Sequence, residues 1–163
     1  MKNEKWSCMM IKLLFCDVDG TLTDGKIYIG NDGEIMKAFC VKDGYAIVEM
    51  LPKYGILPII ITGRQSEIVE KRAYELGIKQ VYQGIKDKPA LLQLLANEQK
   101  VPLSEIAFIG DDLNDFAAMK LCGFKACPAD AVQEIRELCD YVSPHNGGHG
   151  AVRDICEQIL KKI

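Results

Sequence analysis

The sequence predicts an α/β fold: a three-layer doubly wound parallel sheet with a protruding β-hairpin. Three observations carry this. The apolar runs Leu13–Cys16, Ile56–Ile61 and Ile106–Ile109 are short and continuous rather than alternating, as strands buried on both faces require. Helical patterns separate them, which implies right-handed crossovers covering both faces of a parallel sheet. Only one hairpin signal, Asn31-Asp32-Gly33, interrupts that alternation.

Taken in order, Leu13–Cys16 delivers Asp17 and Asp19 to its C-terminal end, pointing to the same side because extended side chains alternate. Gly20 permits a sharp turn and keeps a side chain out of the space beside the carboxylates. Two acids held together repel, so a cation or a shared proton is implied; the bland alternative is a strand followed by an acidic turn. Lys26 to Phe39 reads as the hairpin, with Met36, like Met50 and Met119, taken as core filler. Asp43 is expected to cap a helix running from Gly44 to about Lys53. The second strand ends at Thr62-Gly63-Arg64, and a helix from Ser66 to Leu76 stops at Gly77. Lys79–Tyr82 is a short strand, and Asp87 to about Glu98 a helix with Pro89 in its first turn. Ile106–Ile109 ends at Gly110-Asp111-Asp112, followed by a helix to Leu121. Phe124–Cys127 and Tyr141–Val142 complete the strands, with a helix over Val132–Leu138 between them. A Gly-rich segment, Asn146–Gly150, leads into a last helix from Ala151 to about Leu160.

The 163 residues suit a single domain spanning 1–163, with 1–10 a loose N-terminus and 144–163 a Gly-rich tail and helix. A net charge of -3 gives no basic footprint for nucleic acid. Apolar runs fall far below the roughly 18 residues of a membrane span. The seven cysteines are odd in number and mostly inside apolar segments, reading as reduced residues of a cytoplasmic protein. Without a CxxC pair a structural zinc site is disfavoured, with Cys122 and Cys127 the residual candidates. His145 and His149 sit in a Gly-rich, exposed tail, a poor rigid metal site.

Polar residues therefore converge at the carboxyl edge of the sheet: Asp17 and Asp19, Thr62, and Asp111 with Asp112, joined by Lys88 from a helix start. Carboxylate oxygens in this number suit magnesium, which keeps waters and leaves room for a phosphate oxygen. The set fits phosphoryl transfer.

DVDGT, the hydroxyl residue of IIITG, Lys88 and GDDLND resemble the four ordered motifs of the haloacid dehalogenase superfamily, whose fold is Rossmann-like. KAFCVKDGYAI, TGRQSEIVEKRAYELGI, YQG and GGHGAVRDICE further resemble its capless sugar-acid phosphatases, typified by those acting on 3-deoxy-D-manno-octulosonate 8-phosphate. The likeness runs from about Ile11 to the end. It implies a magnesium-dependent phosphomonoesterase in which Asp17 is the nucleophile and Asp19 the general acid and base. Magnesium would be held by Asp17, Asp111 and the backbone carbonyl of Asp19, while Thr62 and Lys88 grip the transferring oxygens. Asp112 would orient Lys88 or a metal-bound water. Asp115 is open between compensating the helix dipole and a functional role.

Gly63 and Arg64 would face the leaving group, Arg64 against the alternative of pairing with Glu67 or Glu70; Arg153 is either a substrate contact or a solvated helix charge. No cap domain fits between Asp19 and Thr62 or between Thr62 and Lys88. In the family, a neighbouring subunit of a homotetramer closes the site, with hairpins associating and the C-terminal tail contributing. Such a tail would be separable from the sheet, so that truncation after Ser143 leaves a folded protein. The small-molecule partner implied is a sugar-acid phosphate, with a nine-carbon sialic-acid-type phosphate as the alternative leaving group. A non-catalytic oligomerising partner of a sugar nucleotidyltransferase is the competing class. A phosphate-accepting receiver domain would not need Asp19.

Overall fold

The computed structural model describes residues 10–163; the expected loose N-terminus, except for Met10, and Cys8 lie outside the described residues. β1 (Leu13–Cys16) is the central strand of a six-stranded parallel sheet that also contains β4 (Leu57–Ile61), β5 (Val81–Tyr82), β6 (Ile106–Ile109), β7 (Phe124–Cys127) and β8 (Tyr141–Val142). The order is β5-β4-β1-β6-β7-β8, so the chain winds outward on one side of β1 and then on the other. That reversal opens a crevice at the carboxyl end of β1, where ligands bind in such sheets.

Strand periodicity sorts the core into two layers. Leu14, Cys16, Ile60 and Ile109 bury one face, and Leu13, Phe15, Ile61 and Phe108 the other. Phe15 and Phe108 stack across β1 and β6 with centroids 6.2 Å apart. On the first face lie α1 (Val41–Tyr45), α2 (Glu67–Leu76) and α6 (Ala151–Leu160); on the second, α3 (Lys88–Gln99), α4 (Leu113–Leu121) and α5 (Gln133–Leu138). The hairpin pairs β2 (Tyr28–Gly30) with β3 (Gly33–Met36), shorter than expected and bulged between Tyr28 and Ile29. Among the described residues no cap interrupts this three-layer plan.

Two expectations are corrected. The helix after the hairpin starts at Val41, not Gly44, and does not stay α-helical: it widens to a π-turn over Ala46–Met50 and tightens to a 3-10 turn over Leu51–Tyr54. Pro52 has no N–H to continue the ladder, and Gly55, at φ 73°, ends the element. Asp43 caps a different helix, because its buried Oδ1 accepts from the backbone N–H of Arg153 at 2.8 Å in the first turn of α6.

The tail is likewise not separable. Val152, Ile155, Cys156 and Ile159 are buried in the first core layer, an apolar stripe at helical spacing. Covering side chains of this kind is worth about 1.5–3 kcal/mol each for the larger ones, comparable in sum with the whole stability of a domain of this size. Truncation after Ser143 should therefore abolish the cooperative thermal transition; a truncated protein melting within a few degrees of the full chain would show that α6 is dispensable.

Candidate active site

Asp17 leaves β1 with its N–H bonded to the Ile109 carbonyl at 3.0 Å, one residue beyond the strand, and its side chain is buried. The carbonyl of Val18 then accepts from the N–H groups of Thr21, Leu22 and Thr23 at 2.9–3.2 Å, folding the acidic segment into a tight turn. Gly20 sits at φ 87°, and a Cβ there would lie 1.9 Å from Asp111 Oδ2. The turn and Asp111 thus close on each other only because residue 20 has no side chain. Thr21 Oγ1 donates to Asp111 Oδ1 at 3.1 Å.

Lys88 is the first residue of α3, where the helix dipole disfavours a cation. Asp87 caps that helix by accepting from Ala90 N–H, and Pro89 fits its first turn. The ammonium is 1% exposed as a residue and lies 2.9 Å from Asp17 Oδ1 and 2.6 Å from Asp115 Oδ1. Asp115 uses its other oxygen to accept from Asp111 N–H at 3.1 Å, reaching back from the third position of α4 much as a capping box does. Gly110 leaves room for it, since a Cβ there would approach Asp115 Oδ2 to 2.5 Å.

Three carboxyls thus crowd together, and two of them hold one ammonium. One oxygen from each of Asp17, Asp111 and Asp115 lies within 4.8 Å of the others, the sole such metal-competent group among the described residues. Burial, then the charge of Asp115, pushes Asp17 up to about 7 against the pull of Lys88. Burial followed by repulsion from Asp17 and Asp115 pushes Asp111 up to about 8. Burial also raises Asp115. For Lys88, burial acts downward but Asp17 and Asp115 outweigh it, so the ammonium is held charged. Crowded, buried carboxylates short of positive charge are the donor set a hard divalent cation satisfies.

Thr62 is buried at the end of β4, its N–H bonded to Tyr82 O, and its Oγ1 accepts from Arg64 N–H at 3.4 Å. Gly63 is exposed beside it. Arg64 pairs with neither Glu67 nor Glu70; its guanidinium lies 3.6 Å from Glu34 of the hairpin. Asp112 does not orient Lys88. It is exposed and caps α4 through Leu113 N–H at 2.7 Å, because it lies on the solvent side of the turn while Asp115, one helical turn on, faces inward. Arg153 bonds Glu157 at 2.6 Å and lies over the Tyr45 ring at 5.6 Å, away from the acidic cluster.

Sequence reasoning missed Lys37, and the tail, expected to contribute from a neighbouring subunit, meets the acidic turn of its own chain. Lys37 is buried and ion-pairs with Asp19 and Glu34. Gly147 and Gly148 pack on the acidic turn itself: a Cβ at Gly147 would lie 2.0 Å from Gly20 O, and Gly148 N–H donates to Thr21 O at 3.2 Å. Their signal was the Gly-rich run, which demands close backbone approach as readily as flexibility. His149 Nδ1 contacts Gly147 O, and His145 N–H donates to Ser143 Oγ. Met36, expected in the core, is exposed.

A parallel sheet with a buried carboxylate at its switch point, a buried lysine and a set of donors suited to a divalent cation fits a phosphoryl-transfer hydrolase. Comparison with known proteins specifies which. Residues 81–155 match the haloacid dehalogenase-like hydrolases. The 3-deoxy-D-manno-octulosonate 8-phosphate phosphatase KdsC of Yersinia pestis is 47% identical over 151 residues, covering 92% of this chain and 80% of the relative. The crystal structure of that phosphatase from Moraxella catarrhalis, in complex with magnesium ion, phosphate ion and KDO, superposes with a TM-score of 0.90 at 42% identity, over 99% of this chain and 91% of that one. The cobalt-bound form of the corresponding phosphatase from Haemophilus influenzae gives 0.90 at 35% identity, over 98% and 91%. The chain belongs to the haloacid dehalogenase-like hydrolases, in the phosphatase family of these relatives.

The raised carboxyls make metal binding proton-linked. Without metal, the folded protein keeps protons on Asp17 and Asp111 that the unfolded chain, with carboxyls near the ordinary 3.8, releases. The stability this contributes is complete below the unfolded value and is lost as pH rises through about 7 and 8. Magnesium held by these carboxyls would displace those protons, so its increment in Tm should grow from about pH 6 to about pH 9. An increment independent of pH would contradict this assignment of the donor set.

Proposed function

We propose that the protein is a magnesium-dependent phosphomonoesterase that hydrolyses 3-deoxy-D-manno-octulosonate 8-phosphate, the reaction named for its 47% identical relative. The observation that carries it is the buried Asp17–Lys88–Asp115 array, set in a chain that matches a magnesium- and phosphate-bound phosphatase over 99% of its length. Asp17 attacks phosphorus in line through a carboxylate oriented by Lys88, and the leaving sugar oxygen departs with a proton from Asp19. Asp19 then takes a proton from the water that attacks the aspartyl-phosphate, regenerating Asp17. Thr62 and Lys88 hold the transferring oxygens in preorganised contacts. Asp17, Asp111 and the Asp19 carbonyl would hold magnesium, which supplies the positive charge needed for one anion to meet another. Asp115 keeps Lys88 charged and in place, the role expected of Asp112.

The whole chain acts as one domain in this reading, and Gly63 and Arg64 at the rim face the leaving group. Arg64, 48% exposed by side chain, is available to a sugar carboxylate or hydroxyls. A nine-carbon acid is the alternative, discriminated at this residue. Arg153 reaches a substrate only if a neighbouring subunit brings one to it. The homotetramer is supported by the hairpin, where Ile29 is 71% and Ile35 65% exposed, an apolar surface out of place on a free monomer. A cytoplasmic setting agrees with the described cysteines, all unpaired.

The test is a panel of sugar-acid phosphates assayed with magnesium beside p-nitrophenyl phosphate. Asp17→Asn should abolish turnover of all of them while keeping the fold. Arg64→Ala should lower kcat/KM for the eight-carbon acid about ten- to a hundredfold, the weight of a charge-assisted contact, and barely touch p-nitrophenyl phosphate. Preference for a nine-carbon phosphate would overturn the substrate. For the assembly, Ile29→Asp with Ile35→Asp should yield smaller species by sedimentation and impair the sugar phosphate more than the nitrophenyl ester; an unchanged tetramer would place the interface elsewhere.

A further inference from the structure

The inward edge of the hairpin holds an arrangement that the reaction above leaves unused. Lys37 follows β3 directly, and its side chain is 0% exposed. Its ammonium contacts Asp19 Oδ1 on one side and Glu34 Oε2, at 3.1 Å, on the other. Glu34 is itself anchored: Ser66 Oγ donates to its Oε1, and Arg64 lies 3.6 Å from Oε2. Ser66, at the cap of α2, is fixed in turn, donating its N–H to Gln83 Oε1 at 2.9 Å and accepting from Gln83 Nε2 at 3.2 Å. A chain of polar contacts therefore runs from the carboxyl edge of the sheet through the hairpin to Asp19.

A covered ammonium is costly unless its partners are well placed, and removing it strands a carboxylate in a half-buried position. The sequence spends a lysine where its charge serves no surface role, on the single carboxylate that must change protonation twice in each turnover. Such a carboxylate needs a fixed orientation, because a misplacement of about 1 Å costs about a hundredfold in rate.

We propose that Lys37 is the positioning residue for Asp19, with Glu34 holding Lys37 to the hairpin. The ammonium stays on Oδ1, so that Oδ2 alone does the acid–base work. In the first half-reaction the Oδ2 proton passes to the sugar oxygen as its bond to phosphorus breaks and the Asp17–phosphorus bond forms. In the second, a water proton returns to Oδ2 as water oxygen bonds phosphorus and the Asp17–phosphorus bond breaks. Lys37 keeps its protons throughout. The hairpin is thereby an active-site element as well as an exposed apolar ribbon.

The inference rests on Asp19 being the acid of the proposed reaction, and the test separates the two. A sugar alkoxide needs a proton to leave, whereas p-nitrophenolate needs little help, and kcat/KM reports the step in which either departs. With magnesium saturating, Lys37→Met should lower kcat/KM for the sugar-acid phosphate about ten- to a hundredfold and for p-nitrophenyl phosphate by about threefold or less. Lys37→Arg, which keeps the charge, should recover most of the loss. Glu34→Gln should show the same bias more weakly, and it decides the matter if Lys37→Met fails to fold. Equal losses on both substrates, or none, would overturn the positioning role. Asp19→Asn, run in parallel, should show the bias at its strongest. If Asp19→Asn shows it and neither Lys37→Met nor Glu34→Gln does, the proposal for Lys37 fails alone; if Asp19→Asn lacks it, the reading of Asp19 as the acid fails with it.

Discussion

The ammonium of Lys88, buried between Asp17 and Asp115, is the interaction on which the site depends. An ion pair of this kind contributes little net stability, because desolvating its members offsets most of their attraction. Its value lies in geometry. Lys88 draws the ends of β1, α3 and α4 to one point and keeps Asp17 from turning away from the crevice. Asp115 completes the tie by receiving Asp111 N–H, so the second metal-competent acid is held by the same residue that holds the lysine. The carboxyl charge that Lys88 does not balance is what a divalent cation would neutralise, allowing a phosphate-bearing substrate to approach.

Backbone contacts close the site where side chains would not fit. Gly20 admits Asp111, Gly110 admits Asp115, and Gly147 meets the carbonyl of Gly20. The tail that bears Gly147 is secured by α6, whose first turn is capped by Asp43 of α1. The acidic turn is thus braced from behind by the C-terminal segment. Its front, without a cap, stays open at the hairpin and Arg64.

Much of this was legible in the sequence. The continuous apolar runs gave β1 and β6 to the residue, since a strand buried on both faces has no polar interruption to blur its ends. Asp17, Lys88 and Asp111, which the structure brings together, were placed at one edge by the sequence because each follows a strand or opens a helix. Contacts away from that edge, between segments distant in sequence, were not legible. Asp43 looked like a local cap and serves a helix 110 residues away. Asp112 and Asp115 are chemically alike, and only the inward face of α4 decides between them. Lys37 carried no local signal, because its neighbours Glu34 and Asp19 come together only when the hairpin folds back over the turn. The Gly-rich tail was ambiguous in principle: glycine serves flexibility and close packing equally, and the burial of α6 settles it here.

The central claim is that Asp17 accepts the phosphoryl group. The direct measurement is mass spectrometry of the acid-quenched protein after brief exposure to substrate and magnesium, with the acyl-phosphate captured by borohydride reduction. The account requires the modification on the peptide containing Asp17, present during turnover and missing in the Asp17→Asn protein. Phosphoryl transfer to another residue, or full turnover with no adduct at Asp17 under conditions that trap acyl-phosphates, would contradict it.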